Sequence, residues 1–460
     1  MNTPFRGKRV YFIGIGGIGM SALARYFHTQ GALVSGYDKT STPLTRELEA
    51  SGIGVHYNED ITKVPQNAEL VVYTPAIPKE HQELVYLQQQ GYNVVKRSDV
   101  LQMISNSSFN ICIAGTHGKT TITTMIAHLL RDSGYGCNAF LGGISVNYGT
   151  NFWSHERNVC VIEADEYDRS FLKLSPDIAV ITAMDADHLD IYGTAEEMEK
   201  AFIEFSGKVK PSGKLVSKFG LKRGKDLLTP DRTTYSLQNE SADVYADNIR
   251  MKSGSYTFDV VMKDNRLNDV VLHMGGMHNV ENITAAIAVA SSLGIENEKI
   301  KSAVENFRGV KRRFEYIIKT DNQVFIDDYA HHPEELRALI TGAKSLFAGK
   351  TCTVIFQPHL FTRTRDHADG FAEVLDLADR VVLLPIYPAR ELPIEGVNSE
   401  MILERMKNPN KELVKKEDLM SWVQQYAKTW NKELGNVLVT AGAGDIDGEL
   451  VGIKEILNKS

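Results

Sequence analysis

Apolar residues along the chain fall into short unbroken runs that end on glycine, and these alternate with stretches in which apolar positions recur every three or four residues. The first run, Lys8–Ile15, turns through Gly14–Gly19, continues as a helical pattern over Met20–Gln30 and returns as a second strand at Ala32–Asp38. Continuous apolar strands joined by a helix predict a βαβ unit with parallel strands covered on both faces. Further strands at Leu70–Thr74 and Tyr92–Lys96, with a polar helix near Glu80–Gln90 between them, extend it into a sheet. The polar stretch Ser105–Ser108 reads as a linker.

The pattern then starts again. A strand at Asn110–Ala114 turns through Gly115–Gly118 into a helix over Lys119–Arg131, and buried-type strands follow at Val159–Ala164 and Asp177–Met184. Between Lys214 and Lys263 alternation such as Tyr256–Met262 suggests antiparallel strands, and a helix over Asn282–Leu293 closes the segment. A third α/β pattern runs through strand Gln323–Asp328, helix Glu334–Phe347, strand Thr351–Gln357, helix Ala368–Ala378 and strands Arg380–Ile386 and Asn436–Thr440. The prediction is an α/β protein of three domains: 1–107, Rossmann-like; 108–307, a P-loop-type parallel sheet; and 308–460, Rossmann-like again. A length of 460 residues agrees, since about 100–200 residues usually make one domain.

With 43% apolar and 24% charged residues, a folded globular chain is expected. The net charge of −7 supplies no basic footprint for nucleic acid, so anions must be held locally. Cys112, Cys137, Cys160 and Cys352 are scattered and read as small buried residues rather than metal ligands. The N-terminal segment lacks the long apolar region of a signal peptide, and no apolar run approaches the roughly 20 residues of a membrane span. A cytoplasmic protein without membrane insertion is expected.

The segment Ala114-Gly115-Thr116-His117-Gly118-Lys119-Thr120-Thr121 joins a strand to a helix, where backbone N–H groups and the helix end favour phosphate. Lys119 is placed to neutralise phosphates, and the Thr120 hydroxyl to bind Mg²⁺, which prefers oxygen ligands. Ile113 stands where GxxxxGK[ST] has its first glycine, so a shorter GTxGKT form is implied. A tight structural turn is the plainer reading of such a loop. Here, however, Glu163 ends one buried strand within Glu163-Ala164-Asp165-Glu166, and His188 follows another within Asp185-Ala186-Asp187-His188-Leu189-Asp190. Acids grouped on one sheet edge repel unless a cation sits among them, so Thr120, Glu163 and His188 become candidate metal ligands.

Gly14, Gly16 and Gly19 form GxGxxG after a strand, with Asp38 ending the next strand where a ribose-binding acid is expected. Alone this suggests a nicotinamide dehydrogenase. A UDP-sugar carries a diphosphate just as NAD does, and the helix N-terminus does not distinguish them.

The motifs GTHGKTT, EADEYD, DADHLD, HNVEN, KRRFE, DDYAHHP and FQPHLFTRTRD occur here in the order found in the Mur ligases, and the chain resembles that family over essentially its whole length. The resemblance implies a UDP-binding first domain, a central ATPase domain and a C-terminal domain that helps bind ATP and the amino acid. ATP would lie on Gly115, Thr116, His117, Gly118, Lys119, Thr120 and Thr121, with Asn279, Asn282, Arg313 and Asp328. Mg²⁺, for which Mn²⁺ can substitute, would lie on Thr120, Glu163 and His188. The UDP-sugar would lie on Gly14, Gly16, Gly17, Ile18, Gly19, Asp38 and Thr74. Tyr329, His331, His359 and Arg363 match the amino-acid site, with Lys119, His331, His359 and Arg363 catalytic. Read without the family, Asn282 is a helix cap, Arg313 a surface charge, and His331 and His332 caps of the helix that Pro333 begins. Two positions depart from the family pattern: Leu360 follows His359 where some members carry arginine, and Ile203 stands where several carry a carbamylated lysine. No carbamate metal bridge is predicted.

The implied reaction belongs to peptidoglycan synthesis: L-alanine is joined to the lactyl carboxylate of UDP-N-acetylmuramate through an acyl phosphate, releasing ADP and phosphate. GIGGIGMSALA and FQPH favour alanine over the alternative, addition of a preformed tripeptide to the same sugar. A dehydrogenase would leave the GKT loop without work, and a P-loop motor the first domain. A monomer or weak homodimer without nucleic-acid partners is expected.

Overall fold

A computed structural model describes residues 5–186, 189–389, 391–430 and 434–459, with 189 and 190 described by their backbone alone. Three sheets are built in succession, giving a three-domain α/β fold. In the first, the strands Gly54–His56, Leu33–Tyr37, Arg9–Ile13, Leu70–Tyr73 and Val94–Lys96 lie side by side in that order, all parallel. Val10, Phe12, Leu70 and Val72 are almost wholly buried, as expected of strands covered on both faces. The helix Ile18–Thr29 springs directly from the first glycine turn.

The second sheet has ten strands and is mixed. Its centre places Ile178–Ile181, Phe109–Ala114 and Val159–Glu163 side by side and parallel. The hairpin Asn138–Ser145 and Thr150–Trp153 closes one end, antiparallel within itself. The third sheet runs Glu315–Lys319, Gln323–Asp328, Asn436–Ala441, Thr351–Phe356, Arg380–Leu383, Lys411–Leu413, and only its first pair is antiparallel.

The chain divides into two compact units. The first comprises 1–247, 260–268 and 281–304, and the second comprises 248–259, 269–280 and 305–460. The first two sheets are thus packed into one unit, apart from parts of the edge strands from 244 to 272. Tyr26 on the first helix packs on Phe140 and Phe152 of the closing hairpin, with ring centroids 5.4 and 6.1 Å away. Asn151 donates from Nδ2 to the Ile18 carbonyl at 2.6 Å and to Ser21 Oγ at 2.9 Å. All four cysteines are buried free thiols. No described helix is long and apolar enough to cross a membrane.

Two expectations are corrected. Ser105–Ser108 is no linker, because the helix Arg97–Ser107 runs through it. Ser107 and Ser108 donate their hydroxyls back to the Ile104 carbonyl at 3.1 and 2.8 Å, and Ser105 is buried against Asn110. Asn282 is not a cap, since its helix begins at Met277. The helix expected from Ala368 is present and ends at Leu375, and a kink at His367, with φ −120° and ψ 16°, joins it to a helical segment from Phe361 in whose first turn Arg363 stands. The strands Glu315–Lys319 and Lys411–Leu413 and the helix Leu419–Lys428 were not anticipated.

Candidate functional site

The first unit carries a phosphate-type loop built by its glycines. Gly115 and Gly118 have φ of +137° and +79°, a region open to glycine and strained for other residues. A side chain at Gly115 would also collide with Thr182, whose hydroxyl donates to the His117 carbonyl. Thr116 N–H donates to the Ala183 carbonyl at 3.2 Å, and its hydroxyl accepts from Asp185 N–H at 3.3 Å. The loop is therefore stitched to the end of the neighbouring strand before the helix Lys119–Asp132 begins.

Lys119 donates from Nζ to the Gly115 carbonyl at 2.7 Å and to Glu166 Oε1 at 2.6 Å. Its ammonium is thus held over the loop by a fully buried carboxylate, whose pKa burial pushes up against the pull of Lys119. Thr120 Oγ1 donates to Glu163 Oε1 at 3.0 Å, while Glu163 Oε2 accepts from Gly142 N–H at 3.0 Å. Burial raises the Glu163 pKa as well. A hydroxyl and a carboxylate oxygen converging at the loop end form a hard-oxygen pair suited to Mg²⁺. Asp187 and His188 lie outside the described residues, as does the Asp190 side chain. Among the described residues no group of three or more His, Cys, Asp or Glu side chains forms a metal cluster. His117 points outward, 3.9 Å from Asp185 Oδ2, and Thr121 is buried in the helix. Asn282 joins the loop, its Oδ1 3.1 Å from where a Gly118 side chain would begin.

The same unit gathers the N-terminal candidates at the carboxyl edge of the first sheet. Asp38 Oδ2 accepts from Gly16 N–H at 2.7 Å. Thr74 Cγ2 lies 3.1 Å from where a Cβ on Gly14 would be. Gly17 precedes, and Ile18 and Gly19 open, the helix that follows.

The second unit brings together the acceptor candidates. Tyr329 N–H donates to the Arg312 carbonyl at 2.7 Å, and the guanidinium of Arg313 lies 5.5 Å from the Tyr329 ring centroid. His331 stands against Tyr329 and His359, with ring centroids 5.3 and 6.3 Å away. His331 Nδ1 meets the Tyr329 carbonyl at 2.9 Å, and its backbone N–H donates to Glu335 Oε2, also at 2.9 Å. Burial, opposed by Glu335, holds the His331 pKa below its ordinary value. His359 stacks on Tyr387, and its Nδ1 lies 3.1 Å from Arg363 Nη1. Burial first and Arg363 second push its pKa down to about 4. His332, by contrast, caps the helix Pro333–Leu346. Both Asp328 oxygens accept backbone N–H groups, from Ala330 and Phe314, at 2.7 Å each, and burial lifts its pKa to about 6. Asn279 is buried and donates to the Gly275 carbonyl at 2.6 Å.

Sequence reasoning missed Gly142 and the partnership of Glu166 with Lys119. A side chain at Gly142 would fall on the Glu163 carboxylate. The glycine pair inside the strand Asn138–Ser145 was the available signal, because glycine within a strand often marks a close approach.

Models of known families match along the chain: one described as Mur ligase family, catalytic domain, over 9–108; Mur ligase middle domain over 113–290; and Mur ligase, glutamate ligase domain, over 312–444. The chain is 45% identical over 460 residues to a UDP-N-acetylmuramate–L-alanine ligase of Flavobacterium johnsoniae, covering 98% of each. It is 46% identical to the ligase of that name from Porphyromonas gingivalis, covering 98% of this chain and 99% of that one. Among solved structures it resembles the UDP-N-acetylmuramate-alanine ligase of Thermotoga maritima, with a TM-score of 0.80, 28% identity and 98% of each chain covered. A murein peptide ligase from Psychrobacter arcticus shares the fold, with a TM-score of 0.67 at 24% identity.

Proposed function

This chain belongs to the Mur ligase family and is an ATP-dependent UDP-N-acetylmuramate–L-alanine ligase, and we propose how its residues divide the work of that reaction. The observation that carries the assignment is the pairing of Lys119 with Glu166 beside Thr120 and Glu163, which sets a cation and two hard-oxygen donors at the mouth of one loop.

A carboxylate is a poor electrophile, so the lactyl carboxylate first attacks the γ-phosphorus of ATP, giving an acyl phosphate and ADP. Lys119 and the loop amides from Gly115 to Thr121 hold the phosphates in line, and Asn282 borders the same loop. Thr120 and Glu163 would hold Mg²⁺, with His188 the third expected ligand, and the ion would supply positive charge to the phosphates. Gly14, Gly16, Gly17, Ile18, Gly19, Asp38 and Thr74 hold the UDP moiety. Asn279, Arg313 and Asp328 are assigned to the nucleotide on their match to the family's motifs. The domains are assigned to 1–107, 108–307 and 308–460.

The amine of L-alanine then attacks the acyl carbon, and the tetrahedral intermediate expels phosphate. Arg363 and Tyr329 orient the amino acid. His331 gives its Nδ1 hydrogen to the Tyr329 carbonyl, which leaves Nε2 with a lone pair, so His331 is the group that takes the ammonium proton. His359 carries its hydrogen on Nε2 and acts as a donor.

ADP release over many turnovers is the test: it should require UDP-N-acetylmuramate and L-alanine together. Release with the preformed tripeptide in place of alanine would favour the alternative ligase, and release with neither would point to a motor.

A further inference from the structure

We propose that Glu391 is a positioning residue for amide-bond formation, which from a neighbouring loop binds the first turn of the helical segment at Phe361 and so sets where His359 and Arg363 stand. The assignment rests on reading those two residues as part of the amino-acid site. They flank Leu360, whose φ of +69° and ψ of 137° are costly for any residue but glycine. Such a backbone persists only where its surroundings over-determine it.

Those surroundings act on both sides of Leu360. Before it, Tyr387 N–H donates to the Pro358 carbonyl at 2.8 Å and Leu360 N–H to the Tyr387 carbonyl at 2.9 Å, a bridge that sets His359 opposite Tyr387. After it, the Leu360 side chain offers no cap to the helix that follows. Glu391 supplies one from 29 residues away: its Oε2 accepts from Thr362 N–H at 3.0 Å and its Oε1 from the Thr362 hydroxyl. These bonds, that from the hydroxyl first, hold its carboxyl below the ordinary carboxylate range, so it caps as the anion that a helix N-terminus favours. A turn through Ala389, at φ +51°, and the bond from Glu391 N–H to the Pro388 carbonyl at 2.9 Å deliver it.

A cap that merely stabilises the helix is the simpler reading. It accounts poorly for where the cap sits. Beyond the kink at His367 the helix is anchored by Ala368, Phe371, Ala372, Val374 and Leu375, all buried. Between Phe361 and Asp366 only Thr364 is buried, tied back to the Leu360 carbonyl by its N–H at 3.1 Å and its hydroxyl at 2.8 Å. Burial therefore does little to fix Arg363, and the two bonds to Glu391 hold its turn against the loop that carries Tyr387. The Glu391 charge also faces His359, opposing the push of Arg363 on that ring.

The full-length enzyme should be compared as wild type, Glu391→Ala and Glu391→Gln, whose amide can still accept from Thr362 N–H and donate to its hydroxyl oxygen. Glu391→Ala is expected to lower kcat/KM for alanine about ten- to hundredfold, chiefly through KM, with KM for ATP and for UDP-N-acetylmuramate unchanged. Glu391→Gln should recover to within about threefold of wild type. The burst of ADP formed from ATP and the sugar before alanine is added should keep its size and rate in both variants. Hydrogen exchange over 359–366 should quicken in Glu391→Ala while that over 368–375 does not. A kcat/KM for alanine within about twofold of wild type in Glu391→Ala overturns the proposal. So does an ADP burst that slows in step with turnover, or faster exchange across the whole helix, the signature of a cap that serves only folding. A wild type that does not turn over with alanine would instead sink the functional reading, and faster exchange confined to 359–366 would still uphold the hold of Glu391 on His359 and Arg363.

Discussion

Arg363 Nη1 lies 3.1 Å from His359 Nδ1, and this contact fixes where the histidine carries its proton. Guanidinium is always a donor, so Nδ1 must accept and the hydrogen sits on Nε2. His331 is the mirror case. Its Nδ1 faces the Tyr329 carbonyl, an acceptor, so the hydrogen is on Nδ1 and the lone pair on Nε2. Two histidines whose rings lie 6.3 Å apart thus present opposite faces to the acceptor site.

Glutamine distinguishes the two roles, because its amide can donate where Nε2–H does but cannot accept a proton. His331→Gln is expected to lower kcat by about 10²–10⁴-fold at saturating alanine. His359→Gln should stay within about tenfold of wild type, its Nε2–H donor being reproduced. Phosphate release under single-substrate saturation gives both numbers, and a larger loss in His359→Gln would reverse the assignment.

Glu163 is held by two donors, Thr120 Oγ1 and Gly142 N–H, and a Cβ at Gly142 would fall on its carboxylate. Gly142→Ala should therefore cost about 1–3 kcal/mol of stability through overpacking and weaken Mg²⁺ activation together. Glu163→Gln separates the two effects. Its amide oxygen can accept from Gly142 and its NH₂ can donate to Thr120, while the charge that burial disfavours is gone. Unchanged or raised Tm without metal, with a half-activating Mg²⁺ concentration at least about tenfold higher, is the expected pair of results. Wild-type Mg²⁺ dependence in Glu163→Gln would remove it from the metal site.

Glu166 is the quieter partner of the same loop. It accepts from Lys119 at 2.6 Å and so sets where the ammonium points. Glu166→Gln keeps the shape and loses the charge-assisted bond, worth about 1.5–3 kcal/mol. We expect KM for ATP to rise about tenfold with KM for the sugar unchanged, whereas a role confined to folding would lower Tm and leave KM for ATP where it was.

How much of this could be read from the residues follows from what each signal depends on. The strands at Arg9–Ile13 and Phe109–Ala114 and their glycine turns are written locally, in apolar runs that no solvated segment tolerates. Thr120 and Glu163 could be paired in advance because parallel strands bring their ends to one edge. Ser105–Ser108 misled because serine is common in linkers, and only its burial beside Asn110 shows why it stays helical. The helical segment that begins at Phe361, ahead of the kink at His367, was hidden by the run Thr362–Asp366, whose polar residues carry no apolar period. Gly142 matters through the Glu163 carboxylate that lies across from it, and a single chain read in order does not display its neighbours in space.

Asp327 makes the last prediction, one of pH. It is fully buried, accepts from Thr440 Oγ1 at 2.6 Å and faces Arg312 Nε at 3.4 Å, yet burial outweighs both and lifts its pKa from 3.8 to about 7. A carboxyl raised in this way keeps its proton in the folded state while the unfolded chain has lost it. Its contribution to stability is therefore present below about pH 4 and is lost as pH rises towards 7. Asp328 and Glu315 are shifted in the same direction and share the slope. His359 works oppositely: its pKa of about 4, against an ordinary 6.5, costs stability as pH falls between those values. Asp327→Asn imitates the protonated acid at every pH, and Arg312 keeps the Gly442 and Gly444 carbonyls as acceptors. The variant should match wild type below about pH 4, gain on it as pH rises, and melt higher at pH 8, by about 2–4 °C for each kcal/mol recovered. A variant that melts lower than wild type at pH 8 would show that the ion pair with Arg312 outweighs the desolvation of the carboxylate, so that Asp327 stabilises the fold in its charged form and its pKa lies below 3.8 rather than above it.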